Sequence, residues 1–452
     1  MRRFLPGALI GVVFVLLVFI STTYAESDDL DKELNDLLLS HSAGQGIDYF
    51  KLPGSHQLNL IPQDPKNALS PVKIKLGKLL YHEVAMAVDN VRPEGFETYS
   101  CATCHFAQAG FMGNLPQSIG EGGVGFEYGE KIRVFNPTYI DGLWPDVQPI
   151  RTPTVLNGAY QHLSLWNGQL GGVGDNLPYA DIWPAVNNLG LEGLETQAFA
   201  ALATHRMQSF AILSRVPQIG QYHGLFRAAF PDDAGPINRL NAALAIAAFQ
   251  RTVLANQSPW QKYLGGETNA MSDQQKRGAK IFVGKANCVA CHTGPALSSM
   301  TFHAMGMDDL DASPDPRVFL EPFGGTVPEK ARLGRGGFTE EVDDNYKFKT
   351  PQLYNLADSR FYGHGATFIT LRAVVEYMNE AVPQKSIPTL SGQFKPLGLT
   401  EDEIDDLLEF LEEALHDPDL MRYVPERLPS GNCTPVNDPQ AQSDLMDLGF
   451  CR

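Results

Sequence analysis

The chain has 452 residues, of which 43% are hydrophobic and 19% are charged, so it can bury a substantial core and extended disorder is excluded. Its 35 Lys and Arg residues stand against 52 Asp and Glu residues, which gives a formal net charge of -17. A surface this acidic repels nucleic acid and anionic membranes and favours a basic protein partner or none. We therefore expect no nucleic-acid partner.

The first 25 residues have the pattern of an export signal. Arg2 and Arg3 supply a positive start. The stretch Ala8–Ile20 is almost wholly apolar, and small residues up to Ala25 offer a cleavage point. We expect residues 1–25 to be removed and the mature protein to reside in the periplasm. An uncleaved membrane anchor is the alternative, although the apolar run is shorter than the ~20 residues of a spanning helix.

Two copies of Cys-x-x-Cys-His carry the clearest chemical signal. Each copy has two thiols and an imidazole: Cys101, Cys104 and His105 in the first, and Cys288, Cys291 and His292 in the second. In c-type haem attachment the thiols form thioethers with the porphyrin vinyl groups, and the histidine becomes the proximal iron ligand. A redox or zinc motif is the alternative for one copy. Two copies that both end in His favour two covalently bound haems.

The segments around the two motifs resemble each other, which indicates an internal repeat. Helix-compatible stretches that contain a glycine precede both motifs, at residues 75–80 and 276–282. Downstream, Arg151–Asn157 matches Lys349–Asn355, and an apolar helical stretch follows in each half. We therefore expect a mainly α-helical fold of two cytochrome c-like haem domains with long loops, related by internal duplication.

The repeat places the domain boundary near residues 265–272. Residues 26–268 are expected to form an N-terminal haem domain, and residues 269–452 a C-terminal haem domain with a Cys-containing tail. Apolar spacing and capping residues predict three helices most clearly. These are residues 238–254, a helix capped by Thr370, and a helix that follows the capping box of Thr400 and Glu403.

The ligand on the second face of each iron separates an electron carrier from a site that binds substrate. Met378 lies on the apolar face of the helix capped by Thr370, where its thioether can reach a haem. A plain core methionine is the alternative. In the repeat, Met378 corresponds to Ala201, which has no ligating atom, so one haem can be closed by His and Met and the other open. His/Met ligation raises the reduction potential and suits electron uptake, whereas an open iron can take peroxide.

Three residues outside the motifs also stand out. Trp166 can lie between the two haems and carry electrons, with a buried aromatic anchor as the alternative. Cys433 and Cys451 lie in a tail rich in Pro, Asn and Asp. We expect them to form a disulfide that closes a loop, with two free thiols as the alternative.

Together these residues resemble the bacterial dihaem cytochrome c peroxidases and the relatives that mature methylamine dehydrogenase by oxidising protein side chains. The resemblance covers about residues 70–420. Besides the two haem motifs, it rests on Arg151–Asn157, Leu165–Gly168, Leu194–Ala198, Ala245–Thr252, Phe302–Gly306 and Val374–Asn379. It implies a low-potential peroxidatic haem in the first domain and a high-potential electron-entry haem in the second. Met378 stands where the peroxidases have a distal Met and the maturing relatives have Tyr, which favours the peroxidase branch.

Two positions depart from the family pattern. Many family peroxidases have a distal His in a loop where this chain has Glu121, so no loop movement is expected to precede peroxide binding. Arg206 aligns with the family's acidic residue that is credited with moving protons during O–O cleavage. His205, Glu121 or Glu195 can take over that role, because a His or a carboxylate near iron can serve as general acid or base.

The resemblance also implies an activity and partners. A small cytochrome c or copper protein would reduce the second haem, and the first would reduce hydrogen peroxide to water. Two alternatives are open: an enzyme that stores oxidising equivalents to modify side chains of a partner protein, and a non-enzymatic dihaem electron carrier. A calcium ion between the domains is a further implication, at positions that match Thr152, Ser359 and Phe361. Extra residues at 127–148 and 171–189 are expected to reshape the mouth of the first haem, and a homodimer is left open.

Overall fold

The computed structural model describes residues 29–207 and 215–451. The expected export signal, residues 1–25, lies outside this part of the chain. The described residues are mainly α-helical, as predicted, and contain two short antiparallel strand pairs: Gly123–Val124 with Val134–Phe135, and Phe302–His303 with Phe348–Lys349. Within the described ranges, the helices are too short or too polar to cross a lipid bilayer.

Helices of two to four turns form the frame of the fold. The longer ones are 29–40, Pro71–His82, Gly193–Thr204, Gly220–Ala229, Arg239–Arg251, Asp273–Val283, Leu371–Glu380, Glu401–Glu409 and Pro439–Asp447. Shorter ones lie at Cys101–Cys104, Pro184–Asn187, Pro259–Leu264, Glu329–Arg332 and Arg335–Thr339. Loops and 3-10 turns, with a longer 3-10 segment at Gly174–Ile182, connect them.

Several helix starts follow from local capping chemistry. The Thr400 side chain accepts a hydrogen bond from the backbone N–H of Glu403, and the Glu403 side chain accepts one from the backbone N–H of Thr400. Ser272 and Gln275 form the same capping box before the second haem motif. Thr370 caps its helix through its side chain. The starts predicted at Thr370 and Thr400 are confirmed.

The helix predicted at residues 238–254 ends earlier, at Arg251. Beyond it, Asn157 binds the backbone of the next residues. Its own N–H donates to the carbonyl oxygen of Val253 at 2.9 Å, and its side-chain oxygen accepts from the N–H of Ala255 at 2.9 Å. Because these backbone groups have partners outside the helix, the helix does not continue.

In the first half, two helices cross at a glycine. The Pro71–His82 helix packs against the Arg239–Arg251 helix. A Cβ atom on Gly77 would lie 1.7 Å from the carbonyl oxygen of Ala245, far inside van der Waals contact. The crossing therefore requires a residue without a side chain at this position.

The second half uses the same arrangement. The Asp273–Val283 helix packs against the Glu401–Glu409 helix, and a Cβ atom on Gly278 would lie 2.0 Å from the carbonyl oxygen of Asp406. Gly77 and Gly278 belong to the two stretches that the sequence matches ahead of the haem motifs. The two halves share this packing feature, and the internal duplication stays a prediction.

The main hydrophobic core contains residues of both halves. The Trp260 ring is fully buried, with its centroid 5.3 Å from that of Phe410. The side chain of Gln261 donates to the hydroxyl of Tyr354 at 2.7 Å. These contacts join the segment just before residues 265–272 to the second half. The division into two domains at that boundary stays a prediction.

The C-terminal tail returns to the first haem motif. Cys433 and Cys451 are joined by a disulfide, which confirms the predicted pairing. The hydroxyls of Ser100 and Thr103 donate to the carbonyl oxygen of Pro435 at 3.0 and 2.6 Å. The tail therefore packs against the N-terminal half, a contact that its assignment to the C-terminal domain does not anticipate.

Candidate functional site

The first Cys-x-x-Cys-His motif forms a single helical turn, Cys101–Cys104. A reciprocal capping box between Ser100 and Thr103 fixes this turn. Cys101 and Cys104 are free cysteines, and burial raises the pKa of both thiols to about 12, so both stay neutral. Two partly buried thiols on one helical turn suit thioether attachment of a porphyrin.

His105, at the end of this turn, is held as a neutral imidazole. Burial lowers its pKa to about 4, and the charge of His205 lowers the pKa further, whereas the carbonyl groups of Pro153 and Phe111 act in the opposite direction. The hydroxyl of Tyr81 donates to the carbonyl oxygen of His105 at 2.7 Å and holds the backbone in place. A neutral imidazole keeps a lone pair for a metal.

His292 of the second motif has a defined tautomer. Its Nδ1 lies 3.1 Å from the carbonyl oxygen of Leu297 and 3.0 Å from that of Pro351. Carbonyl oxygens only accept, so Nδ1 carries the proton and Nε2 keeps its lone pair. Burial also lowers the pKa of His292 to about 4. The ring is therefore oriented and protonated as an Nε2 metal ligand requires.

A cavity of about 330 Å³ adjoins the second motif. Cys288, Cys291 and His292 line it, and so does Met378. The Leu371–Glu380 helix contributes further apolar lining residues: Leu371, Val374 and Val375. The structure thus brings the thioether of Met378 into the crevice of the second motif.

Five other side chains with a thioether or imidazole line the same cavity: Met112, His303, Met305, Met307 and His364. His303 is already engaged, because its Nε2 lies 2.7 Å from Thr301 Oγ1 and 3.4 Å from Cys291 Sγ. Sequence reasoning selected Met378 alone, since Met378 stands on the apolar face of a predicted helix. Met305 and Met307 lie in loop sequence, where no periodicity indicates their direction.

The cavity also fits the acidic end of a haem. It contains two buried cations, Arg151 and Lys349, whose hydrogen-bond partners within the described ranges are uncharged. Arg151 donates to Ser359 Oγ at 2.8 Å, and its Nε has no hydrogen-bond partner there. Lys349 contacts the side-chain oxygen of Gln161, and burial lowers its pKa to about 7. Buried cations favour an anionic partner, and the two carboxylates of a haem can supply it.

Trp166 lines the same cavity and is bonded to both halves of the chain. Its indole Nε1 donates to the carbonyl oxygen of Arg151 at 2.8 Å, and its own carbonyl oxygen accepts from the N–H of Lys349 at 2.7 Å. The indole ring lies 6.3 Å from the imidazole ring of His364, edge to face. Trp166 is therefore held rigidly beside the second motif.

Glu121 is fully buried, and both of its carboxylate oxygens have hydrogen-bond or ion-pair partners. Its Oε1 accepts from the N–H groups of Val91 and Arg92 at 2.7 and 3.2 Å and from the hydroxyl of Tyr139 at 2.9 Å. Its Oε2 forms an ion pair with Arg206. The Glu121 carboxylate is therefore held in place by three hydrogen bonds and an ion pair.

His205 and Asp146 form a second pair next to the first. Nδ1 of His205 lies 2.8 Å from Oδ2 of the buried Asp146. The N–H of Asp146 donates to the carbonyl oxygen of Glu121 at 2.9 Å, which joins the two pairs. Charges of this group reach the first motif, because Asp146 raises the pKa of Cys104 and His205 lowers that of His105.

Glu195, the third candidate for proton transfer, is held in a buried ion pair. Its carboxylate binds the fully buried Arg251 through both oxygens, at 2.8 and 2.6 Å, and accepts from Asn67 at 3.0 Å. Glu192 pairs with the same guanidinium at 2.9 Å. The structure therefore separates Glu195 from the group that contains Glu121 and His205.

The residues predicted to be extra brace the loops that carry Glu121 and Trp166. In the 127–148 segment, the buried Arg133 donates to the carbonyl oxygens of Ile119, Gly120 and Gly125 and pairs with Asp438 of the tail at 3.4 Å. These bonds hold the loop that carries Glu121. Sequence reasoning missed Arg133, Tyr139 and Asp146, since it assigned the segment a shape but no individual contacts.

In the 171–189 segment, two buried asparagines brace the loop of Trp166. Asn176 donates to the carbonyl oxygen of Gly168 at 2.8 Å, and Asn187 donates to that of Gln169 at 2.9 Å. This segment therefore supports the second cavity as well as the first half.

At the positions predicted for calcium, the side chain of Ser359 already forms hydrogen bonds within the protein. Ser359 Oγ accepts from Arg151 and donates to the carbonyl oxygen of Phe361 at 2.7 Å. Thr152 follows Arg151 directly. The calcium ion stays a prediction.

The chain is similar to several known proteins. Residues 71–269 match a family model described as di-haem cytochrome c peroxidase. The chain is 28% identical over 360 residues to the methylamine utilization protein MauG of Methylorubrum extorquens, covering 79% of this chain and 82% of the relative. It is 27% identical over 343 residues to the cytochrome c551 peroxidase of Pseudomonas aeruginosa, covering 76% and 78%. A crystal structure of a MauG-like protein associated with microbial copper homeostasis shares the fold, with a TM-score of 0.58 and 24% identity over 82% of this chain and 96% of that one.

Proposed function

We propose that this oxidoreductase reduces hydrogen peroxide to water with electrons from a small redox protein, as its similarity to a di-haem cytochrome c peroxidase family model and to a cytochrome c551 peroxidase suggests. The observation that carries this function is an asymmetry between the halves. Met378 and His292 line one cavity at the second motif. The residue matched to Met378 in the first half is Ala201, which has no ligating atom.

His292 and Met378 are the proposed iron ligands of the second site, with Cys288 and Cys291 as the attachment points. A haem supplies one-electron redox chemistry there and, where a face of the iron is open, a place for peroxide to react. The tautomer of His292 leaves Nε2 free for a metal. The neutral thioether of Met378 favours a high reduction potential, so this site is suited to accept electrons from a small cytochrome c or copper protein.

Trp166 is the proposed connection between the two sites. Electron transfer through an aromatic ring requires a ring that keeps its position. The bonds of Trp166 to Arg151 and Lys349 provide that, since one partner comes from each half. The same bonds also suit a purely structural anchor, so a variant must separate the two roles.

At the first site, Cys101, Cys104 and His105 are the proposed haem attachment. His205 is the proposed proton-handling group. Asp146 binds its Nδ1, so Nε2 is the nitrogen left to exchange a proton with peroxide. Glu121 and Arg206 neutralise each other as a buried pair, and we assign both to holding the pocket in shape.

We also propose that the protein is exported and that residues 1–25 are removed. The support is the charged start and apolar run of that segment. The mass of the protein purified from a bacterial periplasm tests this directly.

The decisive assay measures peroxide consumption by the two-haem protein with a reduced cytochrome c or copper protein. The wild type should consume peroxide. The Met378→Ala variant should lose donor-driven turnover, whereas Met305→Ala, a change in the same cavity, should keep it. A wild type that exchanges electrons with the donor but leaves peroxide unchanged would contradict the proposal and select the electron-carrier alternative.

A further inference from the structure

Tyr139 and Glu121 form a hydrogen-bonded pair that the proposed peroxidase cycle does not use. The hydroxyl of Tyr139 lies 2.9 Å from Oε1 of Glu121, and Tyr139 is only 3% exposed. Burial, together with the bond to Glu121, raises the pKa of Tyr139 well above its ordinary value. The phenol therefore stays protonated and donates a hydrogen bond to the Glu121 carboxylate.

This pair lies within the polar group of the first motif. Glu121 Oε2 pairs with Arg206, and its backbone bonds to Asp146, whose charge acts on the Cys104 thiol. His205, the partner of Asp146, acts in turn on His105. Hydrogen bonds thus connect Tyr139, through Glu121, with Asp146 and His205, whose charges act on the first motif.

We propose that Tyr139 is an oxidisable side chain of the first haem site, which gives up an electron when no donor protein supplies one. The inference rests on the proposed function, because the oxidant is hydrogen peroxide that reacts at this site. Peroxide takes up two electrons and two protons to form two water molecules. With a haem bound at this site, its iron would supply one electron and Tyr139 the other, and the two protons would come from solvent. The O–H bond of Tyr139 breaks, the electron passes to the haem site, and the proton moves to Glu121, which leaves a neutral tyrosyl radical.

The partner of the phenol distinguishes Tyr139 from its neighbour Tyr99. Tyr99 is fully buried two residues before Cys101, but its hydroxyl faces the carbonyl oxygen of Arg206 at 3.3 Å. A carbonyl oxygen is a poor proton acceptor, whereas the Glu121 carboxylate can take the proton as the electron leaves. Oxidation of a phenol without loss of its proton would leave a buried positive charge, which is costly.

Tyr139 also lies beneath an exposed surface. The next residue, Ile140, and Leu143 in the same segment are exposed apolar side chains. Tyr139 is therefore next in sequence to an apolar side chain that a docked partner can reach. The 127–148 segment, which is extra relative to the family pattern, would provide this position.

The test uses the full two-haem protein in its oxidised form, mixed with hydrogen peroxide in the absence of any donor and frozen rapidly. Electron paramagnetic resonance detects the radical, and ring-deuterated tyrosine identifies it as tyrosyl by the change in its hyperfine pattern. Parallel absorption spectra report whether the haem reacts with peroxide. The wild type should show a tyrosyl radical, Tyr139→Phe should lose it, and Tyr99→Phe should keep it.

Tyr222→Phe is the control for chemistry, because Tyr222 also donates to a buried carboxylate, Glu83, at 2.7 Å. It should keep the radical. A radical that survives in Tyr139→Phe, or a wild type whose haem reacts without forming a tyrosyl radical, overturns the inference and leaves the peroxidase function standing. A haem spectrum that peroxide does not change overturns both. If Tyr139→Phe does not incorporate two haems, mass spectrometry of the peroxide-treated wild type replaces it, with oxidation at Tyr139 expected and an unmodified Tyr139 contradicting the inference.

Discussion

Replacement of Glu121 by Gln separates an anchoring role from a proton-transfer role. The amide keeps an oxygen for the N–H groups of Val91 and Arg92 but loses the charge that faces Arg206. Breaking a buried ion pair costs about 3–5 kcal/mol. The Arg206 side chain is 24% exposed and also donates to the carbonyl oxygen of Trp144 at 3.0 Å. We therefore expect a smaller local loss, about 2–3 kcal/mol, because water and Trp144 still solvate the guanidinium.

Hydrogen exchange of the two-haem protein, followed by mass spectrometry, measures this loss at Val91 and Arg92. A decrease of that size in the local opening free energy corresponds to roughly 30- to 150-fold faster exchange. Glu97→Gln is the matched control, because Glu97 pairs with Arg215, whose side chain is 38% exposed. In the described part of the chain the Glu97 carboxylate binds the side chains of Arg215 and Asn432, not the N–H groups of Val91 and Arg92, so exchange at these two amides should change by less than about fivefold.

If Glu121 only anchors the loop, its replacement should have little effect on the rate of reaction with peroxide. If His205 handles the proton, Glu121→Gln should change the rate of reaction with peroxide by less than about tenfold, since acid–base groups themselves contribute about 10²–10⁴. A fall of about 10² or more, with unchanged exchange at Val91 and Arg92, would refute this reasoning and assign proton transfer to Glu121.

Two further predictions concern proton handling and helix packing. His205→Gln should slow the reaction with peroxide by about 10² or more. Burial lowers the pKa of His205, but Asp146 outweighs it and raises the net value, so the neutral base forms only at higher pH and the rate should rise with pH through that pKa. Asp146→Asn should move this midpoint to lower pH, and an unmoved midpoint in stopped-flow rates would contradict the pairing. Gly77→Ala and Gly278→Ala should each destabilise the two-haem protein by about 1–3 kcal/mol or more, because the added Cβ meets facing backbone. Gly224→Ala, a helical position with open space, should be neutral or stabilising by about 0.5–1 kcal/mol, and thermal melts that rank the three otherwise would count against the packing argument.

Local patterns in the sequence predicted the parts of the fold that depend on near neighbours. The capping box at Thr400 joins residues three positions apart, and Thr370 caps its helix in the same way. The side-chain period of that helix indicates which face is apolar, and Met378 on that face does line the cavity of His292. Its role as an iron ligand stays a proposal.

Pairings between distant residues were not accessible from the sequence. Glu121 and Arg206 stand as two separate departures from the family pattern, yet they are one ion pair. Their opposite charges face each other in this chain, which their positions in the sequence do not indicate. Asp146 was missed for the same reason, since its bond to His205 depends on how two loops meet. No local periodicity encodes such a contact.

We propose that the two irons differ, with His292 and Met378 as the ligands that close the second and with an open face on the first. Electron paramagnetic resonance and near-infrared spectra of the oxidised two-haem protein test it most directly. We predict one low-spin haem with the charge-transfer band of methionine ligation and one high-spin haem, and we predict that Met378→Ala converts the low-spin signal alone. Two low-spin haems, each with protein ligands on both faces in the oxidised and the reduced states, would contradict the account.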